Sequence, residues 1–433
     1  MAHESTFDGA TSHPQAAGDV CGAGIALLTG GADRPYAFGL ATALMSREVT
    51  LELVGNDELD CPEFRNAPGV TYLNLRGDQR PDVGLTAKFL RVMKYYVRLI
   101  GYSVTAKPKI FHVLWNNKFE YFDRTLLMLF YRLLGKRIVL TLHNVNKGKR
   151  DGRDTRLNYL TLLAQYRLAD HMFVHTEKMK QDLVGEFAER SERITVIPFG
   201  INNAVPNTRI TCSEARQRLG LPDHQRTILF FGNIAPYKGL EYLTAAFRSM
   251  NGGQDDYRLI IAGAPKNCEG YWNTLRGQMD EDVRSGRILL KDKFIPDEDT
   301  ELYMKAADVL VLPYRHIYQS GVLFLGYSFG LPVLAADVGS LREEVIEGKT
   351  GFIFRPEDPD DLARAIDRYF ASSLYAGLDS HRREIRDYAL ARHSWDVVGQ
   401  MTINVYAGLL RMPFHAKPSN RDLPSNSLDV KAP

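Results

Sequence analysis

The sequence predicts an α/β protein made of two Rossmann-like domains in tandem. This prediction depends on chain length, on composition and on the alternation of short apolar runs with longer segments of helical period. A chain of 433 residues is too long for one hydrophobic core of ordinary size, so two domains of roughly 200 residues each are expected. With 45% hydrophobic and 24% charged residues, the composition is that of a globular protein, because fibrous and disordered chains depart strongly from such fractions.

The apolar runs are predicted to be β-strands because they are short and lie between amphipathic segments such as Leu240–Ser249 and Asp360–Phe370. The first half contains seven predicted strands: Gly24–Thr29, Val49–Val54, Thr71–Leu75, Ile110–Leu114, Ile138–Leu142, His171–His175 and Ile194–Ile197. The second half contains six: Thr227–Phe231, Arg258–Ala262, Ile288–Lys291, Val309–Leu312, Pro332–Ala336 and Gly351–Phe354. This alternation is typical of parallel sheets that helices cover on both faces.

The boundary between the two domains is predicted in the segment Gly200–Gln225, which is rich in Pro and Asn. The first domain is therefore expected at residues 21–205 and the second at 206–393. A last helix is predicted from the N-cap Ser394 to about residue 412. Residues 1–20 and 413–433 lack apolar periodicity, and we predict that both are disordered.

Charge and cysteine usage narrow the range of partners and compartments. A net charge of +2 argues against nucleic-acid binding. The four cysteines, Cys21, Cys61, Cys212 and Cys268, have neither disulfide-motif nor metal-ligand spacing, which predicts a reducing compartment and no metal site. The first residues do not resemble a secretory signal, and no run approaches the ~20 apolar residues of a membrane span. We therefore expect a cytoplasmic protein.

Lys238 is the first candidate site residue, because it lies just after a predicted strand and just before a helix, within Gly232–Gly239. A cation at this place can meet a diphosphate that also interacts with the helix dipole. It can then balance the charge that grows on a departing nucleoside diphosphate. The alternative is a surface turn with a solvated lysine.

Two further candidates follow predicted strands. The segment Gln319-Ser320-Gly321 comes before a helix and can present bare backbone N–H groups to an anion; a simple N-cap is the alternative. His143 ends the strand Ile138–Leu142, where open parallel sheets bind their ligands. A histidine with a purely structural role is the alternative there.

Together these segments resemble the retaining glycosyltransferases of family 4, the bacterial exopolysaccharide type of group 1, which share the GT-B fold of two Rossmann-like domains that face each other across a cleft. The resemblance rests on Gly232–Gly239, Ile261–Gly263, Tyr303–Asp308, Gly330–Ala335 and Gly348–Phe352. It implies transfer of a hexosyl group from a UDP- or GDP-linked sugar, bound by the second domain, to a saccharide acceptor. It also implies that the last helix crosses back to the first domain, and that no metal or other cofactor is needed.

The same resemblance implies roles for individual residues. His143 and Lys238 would be catalytic, with Lys238 on the donor phosphates and His143 reaching the sugar. The donor would be bound by Gly232, Asn233, Lys238, Gly263, Gln319, Ser320 and Gly321. The loop that contains Gly30, Gly31 and Tyr36 would lie near the acceptor and a phosphate.

The chain departs from the family pattern at two places. Asn233 stands where the family often has arginine, and a pair of glutamates eight positions apart is missing near Ile317 and Leu325. We interpret this departure first as a Gln-Ser-Gly subtype of the family, and a non-catalytic scaffold subunit is the alternative. Another GT-B enzyme, such as a nucleotide-sugar epimerase, is a further alternative.

A basic amphipathic helix is predicted in residues 86–109, which contain six basic residues and no acidic one. Such a helix can rest on an anionic membrane surface, although a solvated outer face is the alternative. A second basic cluster is formed by Lys147, Lys149, Arg150, Arg153 and Arg156. The acceptor is therefore expected to be a lipid-diphosphate-linked saccharide of an exported polysaccharide, presented at the inner face of the membrane.

Overall fold

The computed structural model describes residues 24–411, apart from 32–33, 81–82, 147, 149–153, 202–204 and 251–256. The two tails predicted to be disordered therefore lie outside the described residues. The same is true of most of the second basic cluster, namely Lys147, Lys149, Arg150 and Arg153.

Two parallel sheets form the framework and confirm the predicted α/β class. The first has the strand order β3-β2-β1-β4-β5-β6-β7 and the second β10-β9-β8-β11-β12-β13. The strands are β1 Ile25–Leu28, β2 Leu51–Gly55, β3 Val70–Asn74, β4 Ile110–Val113, β5 Arg137–Thr141, β6 His171–Val174, β7 Ile194–Val196, β8 Arg226–Phe231, β9 Tyr257–Ala262, β10 Ile288–Lys291, β11 Val309–Leu312, β12 Val333–Ala336 and β13 Gly351–Phe354. All thirteen predicted strands are present, with small shifts at their ends.

Helices connect the strands and cover both faces of each sheet. The longer ones are α1 Arg34–Met45, α2 Leu85–Thr105, α3 Arg156–Leu168, α4 Glu177–Phe187, α5 Cys212–Leu219, α6 Leu240–Ser249, α7 Glu269–Arg284, α8 Asp297–Ala306, α9 Gly321–Ser328, α10 Pro359–Phe370, α11 Leu378–His393 and α12 Trp395–Arg411. Short helices lie at Pro62–Arg65, Glu120–Phe122, Met128–Leu133, Leu341–Glu344 and Ser373–Ala376, with a π-helical turn at Asp123–Leu127.

The first sheet has an apolar core on each face, because successive side chains of a strand point to opposite sides. Ile25 and Leu27 of β1 join a core that contains Trp395 and Tyr406 of the last helix. Ala26 lies in the other core, beneath α2. The last helix therefore completes a core of the first domain.

The indole of Trp395 is the main anchor of α12. The helix begins where the Ser394 Oγ accepts the Val397 N–H at 3.3 Å, which is the predicted N-cap. The indole Nε1–H of Trp395 donates to the Ile201 carbonyl at 2.8 Å. A Cβ atom at Gly39 or Gly200 would collide with the indole ring, so only glycine permits this approach.

Three histidines of the first sheet are held neutral. His112 is fully buried between the hydroxyls of Tyr406 and Thr141, at 2.6 and 2.7 Å. Burial lowers the pKa of His112 to about 3, and burial likewise lowers the pKa of His171 and of His175 to about 4. Between about pH 4 and pH 6.5 these rings therefore stay neutral in the folded protein, whereas the same histidines are protonated in the unfolded chain.

We expect acid to destabilise the fold through these three rings. Because their folded pKa values lie below the unfolded value of about 6.5, their stabilising contribution is present above that pH and is lost as the pH falls towards about 4. Each ring should remove roughly 1–2 kcal/mol between about pH 7 and pH 5. Urea unfolding at both pH values measures this loss, and equal stabilities would contradict it. In a His112→Gln variant the free energy of unfolding should change less between these two pH values.

Candidate active site

Each sheet has one place where the connections on the two sides run in opposite directions. In the first sheet this place lies between β1 and β4, and in the second between β8 and β11. Ligands bind beyond the carboxyl ends of the strands at such a point, because the diverging connections leave a crevice there. The loops that follow these strands contain Gly30 and Trp115 in the first domain, and Lys238 and Gln319 in the second.

A cavity of about 350 Å³ lies between these two sets of loops. Six of the predicted site residues line it: Tyr36, His143, Lys238, Gln319, Ser320 and Gly321. The other five, Gly30, Gly31, Gly232, Asn233 and Gly263, are not among its lining residues. The structure therefore brings the two predicted catalytic residues together from opposite domains.

Lys238 is held almost buried at the start of α6. The residue is 7% exposed, and its ammonium lies 5.4 Å from the centre of the Tyr314 ring, a contact that attracts a cation to the ring face. The next residue, Gly239, has φ +64°, and a Cβ there would collide with the Pro313 carbonyl. Glycine thus lets the lysine loop pack against the loop that follows β11.

Two of the other residues predicted to bind the donor, Gly232 and Gly263, pack next to Lys238 or next to each other. Gly232 has φ +96°, and a Cβ there would lie 3.1 Å from the Lys238 Nζ. Gly263 packs directly on the Gly232 carbonyl, so that a side chain cannot fit between the loops after β8 and β9. Asn233 is exposed.

The start of α9 is open to a ligand. Ser320 is the N-cap residue, but its side chain makes no capping hydrogen bond; its hydroxyl lies 3.3 Å from the Tyr314 hydroxyl instead. The side-chain amide of Gln319 is buried, and neither of its polar atoms has a hydrogen-bond partner among the described residues. A buried amide left in this state costs about 1–3 kcal/mol, which a bound ligand would offset.

His143 is oriented by aromatic rings. It stacks on Trp115 with ring centres 4.2 Å apart and planes 1° apart, and the edge of Tyr36 meets it at 4.7 Å. Burial holds the pKa of His143 well below its usual range, so the ring is neutral at pH 7. Its Nε2 is buried without a hydrogen-bond partner in the described part of the chain. The Nε2 atom of a neutral imidazole can form one hydrogen bond with a sugar hydroxyl.

The positions of the missing glutamate pair carry apolar side chains in the cavity. Ile317 and Leu325 both line it, and no carboxylate is among the described residues that do so. No group of three His, Cys, Asp or Glu side chains suited to a metal ion occurs in the described residues. That catalysis needs no metal stays a prediction.

Two family models match the chain one after the other. The model described as "Glycosyltransferase Family 4" matches residues 29–205, and the model described as "Glycosyl transferases group 1" matches residues 225–372. Between them they include all the loops that line the cavity. The chain belongs to glycosyltransferase family 4.

Individual relatives resemble this family 4 chain to different extents. It is 29% identical over 233 residues to the D-inositol 3-phosphate glycosyltransferase of Corynebacterium glutamicum. The matched region covers 52% of this chain and 56% of the relative. The chain thus spans about half the length of the curated relatives it matches.

Solved structures establish the fold. Sucrose-phosphate synthase from Thermosynechococcus elongatus superposes with a TM-score of 0.70 at 19% identity, over 89% of this chain and 98% of that one. HepE of Anabaena, in complex with UDP and glucose, gives a TM-score of 0.69 at 16% identity, over 89% and 99%. These neighbours confirm the predicted GT-B fold.

A second cavity of about 350 Å³ in the family 4 chain shares His143 and Asn144 with the first. It lies within the first domain, and its polar lining includes Asn116, Arg124 and Gln165. The Arg124 guanidinium is buried and donates to Asn158 at 2.8 Å, while its Nε has no hydrogen-bond partner among the described residues. Sequence reasoning missed this cavity because these side chains come from separate elements with no shared motif.

Contacts between the two domains lie beside the main cavity. The Tyr318 hydroxyl donates to Asp182 of α4 at 2.8 Å, and the Phe199 ring stacks on Phe324 with centres 5.4 Å apart. The two domains of the family 4 chain therefore touch beside Gln319. No sequence pattern indicates these pairs, since each joins residues more than a hundred positions apart.

Proposed function

We propose that the protein transfers a hexosyl group from a UDP- or GDP-linked sugar to a saccharide acceptor with retention of anomeric configuration. One observation carries this proposal: Lys238 and the uncapped start of α9 lie in the same cavity as His143 of the other domain. HepE, a neighbour in fold, binds UDP and glucose, which supports a nucleotide-linked donor. The D-inositol 3-phosphate glycosyltransferase relatives support the transfer reaction.

Catalysis is proposed to act on the donor side. The bond between the anomeric carbon and the phosphate oxygen breaks, and its electron pair leaves with the diphosphate. Lys238 and the backbone amides near Ser320 stabilise that charge. The acceptor hydroxyl attacks from the same face, and its proton passes to the departing phosphate oxygen. Neutral His143 positions the sugar through a hydrogen bond.

The acceptor is proposed to be a saccharide linked to a lipid diphosphate, used for an exported polysaccharide at the inner face of the membrane. Helix α2 supports this, because its apolar side chains face solvent: Leu85 is 83% exposed and Val97 67%. Basic residues such as Lys94 and Arg98 lie on the same helix, and apolar and basic side chains together favour an anionic membrane surface. No described helix is long and apolar enough to cross a bilayer.

A donor screen followed by a transfer assay tests the proposal. We expect one UDP- or GDP-sugar to raise Tm, and addition of a lipid-linked saccharide to release the nucleoside diphosphate even with a chelator present. NMR of the product should show the donor's anomeric configuration. Absence of stabilisation by every nucleotide would favour the scaffold alternative, and turnover without an acceptor would favour an epimerase.

A further inference from the structure

A third cavity, of about 290 Å³, lies in the first domain beside the start of α2. Its described lining consists of Arg76, Gln79, Arg80, Lys88, Arg91, Val92, Tyr95 and Lys118. Five of these side chains are cationic, and none is acidic. Cations gathered in this way repel one another, so the cavity is suited to a ligand with several negative charges.

Three separate elements bring these cations together. Arg76 and Arg80 come from the segment after β3, Lys88 and Arg91 lie one turn apart on α2, and Lys118 follows β4. The arrangement is therefore a feature of the folded domain and not a run of charge along the sequence.

The acidic side chain of Asp78 only partly compensates this charge. It accepts from the Arg80 Nε at 2.8 Å and lies 3.7 Å from the Arg91 Nη1. One carboxylate faces two guanidinium groups, and it is not among the residues that line the cavity. Among the residues that the structure describes, five cations line the cavity beside this one carboxylate, so positive charge is in excess there.

A chain of contacts through three loops links the basic cavity to the candidate active site. The Arg76 guanidinium donates to the Gly30 carbonyl and lies 5.3 Å from the centre of the Tyr95 ring. Gly30 packs against the Trp115 backbone, and Trp115 stacks on His143. These contacts connect the wall of the basic cavity to the rings around His143.

We propose that this cavity binds the phosphate or diphosphate group of the acceptor, and that this group is carried on a lipid. The proposal rests on the proposed function and adds a specific site to it. Exposed apolar residues of α2, such as Phe89 and Leu90, lie on the same turns as Lys88. Apolar side chains next to a phosphate site match a headgroup that leaves the membrane at this place.

Pyrophosphate binding tests the cavity directly. Lys88→Gln with Lys118→Gln removes two charges from the cavity, whereas Lys94→Gln with Arg98→Gln removes two charges from α2 outside it. All variants carry Lys238→Ala, which weakens the donor diphosphate site. We expect the cavity pair to weaken pyrophosphate binding about tenfold or more and the control pair at most about twofold, because charge-assisted hydrogen bonds need contact. Equal effects of the two pairs would overturn the proposal.

Vesicles distinguish a lipid headgroup from a soluble phosphate. Phosphatidylcholine vesicles that contain phosphatidic acid present a terminal phosphate, whereas those with phosphatidylglycerol present only a diester. The protein should prefer phosphatidic acid, and the cavity pair should abolish this preference while the control pair weakens binding to both alike. Pyrophosphate binding without any vesicle preference would overturn the lipid part. Because neither measurement needs turnover, failure of the proposed transfer reaction would not affect them.

Discussion

Replacing Lys238 by alanine is expected to lower kcat by roughly 10²–10³-fold. The ammonium is almost buried in the cavity, beside the Tyr314 ring and the start of α9. In such a site, screening by water is weak, so a cation directed at the departing diphosphate stabilises the transition state strongly. Steady-state release of nucleoside diphosphate measures the effect.

The matched control for Lys238 is Lys266, an exposed lysine in the loop after β9. Lys266→Ala removes the same charge from the same domain and should leave kcat within about twofold, because a solvated charge interacts weakly. Both variants should unfold at nearly the wild-type temperature. Turnover by Lys238→Ala close to that of wild type would refute the catalytic role.

Gly39→Ala is expected to destabilise the protein by about 2–3 kcal/mol. The new methyl group would collide with the indole of Trp395, which is buried and fixed by its hydrogen bond to Ile201. A Cβ at Gly39 would lie 2.0 Å from the indole Cε2, so either α1 or the indole must shift. Urea unfolding measures the loss, and activity should fall with it, because Trp395 also lines the cavity.

Gly408→Ala on α12 is the control for this substitution. A Cβ at Gly408 would meet nothing within 4 Å, and alanine is the better helix former by about 0.5–1 kcal/mol. The same exchange should therefore stabilise the protein at Gly408 and destabilise it at Gly39. Equal small effects at both positions would show that the contact with Trp395 does not restrict α1.

The sheets could be predicted from sequence because parallel strands are buried on both faces and appear as short, continuous apolar runs. The same order of strands and loops places Lys238 and Gln319 at the carboxyl edge of the second sheet. His143 could be found in the same way, from its position at the end of β5. Roles for these residues remain predictions, since position alone does not identify a reaction.

The surroundings of these residues could not be predicted. Trp115 stacks on His143, and Tyr314 lies beneath Lys238, but each contact joins loops that meet only in the folded chain. The basic cavity shows the same limit. Its helix was recognisable from residues 86–109, whereas Arg76 and Lys118 belong to segments without a charge pattern of their own.

The packing of α12 has a consequence for biosynthesis. The core face that Trp395 and Tyr406 cover is translated early, while the helix that covers it leaves the ribosome only after the whole second domain. During this interval the first domain presents an open apolar surface, and such surfaces favour aggregation. The first domain can therefore complete its folding only after the C-terminal helix has been synthesised.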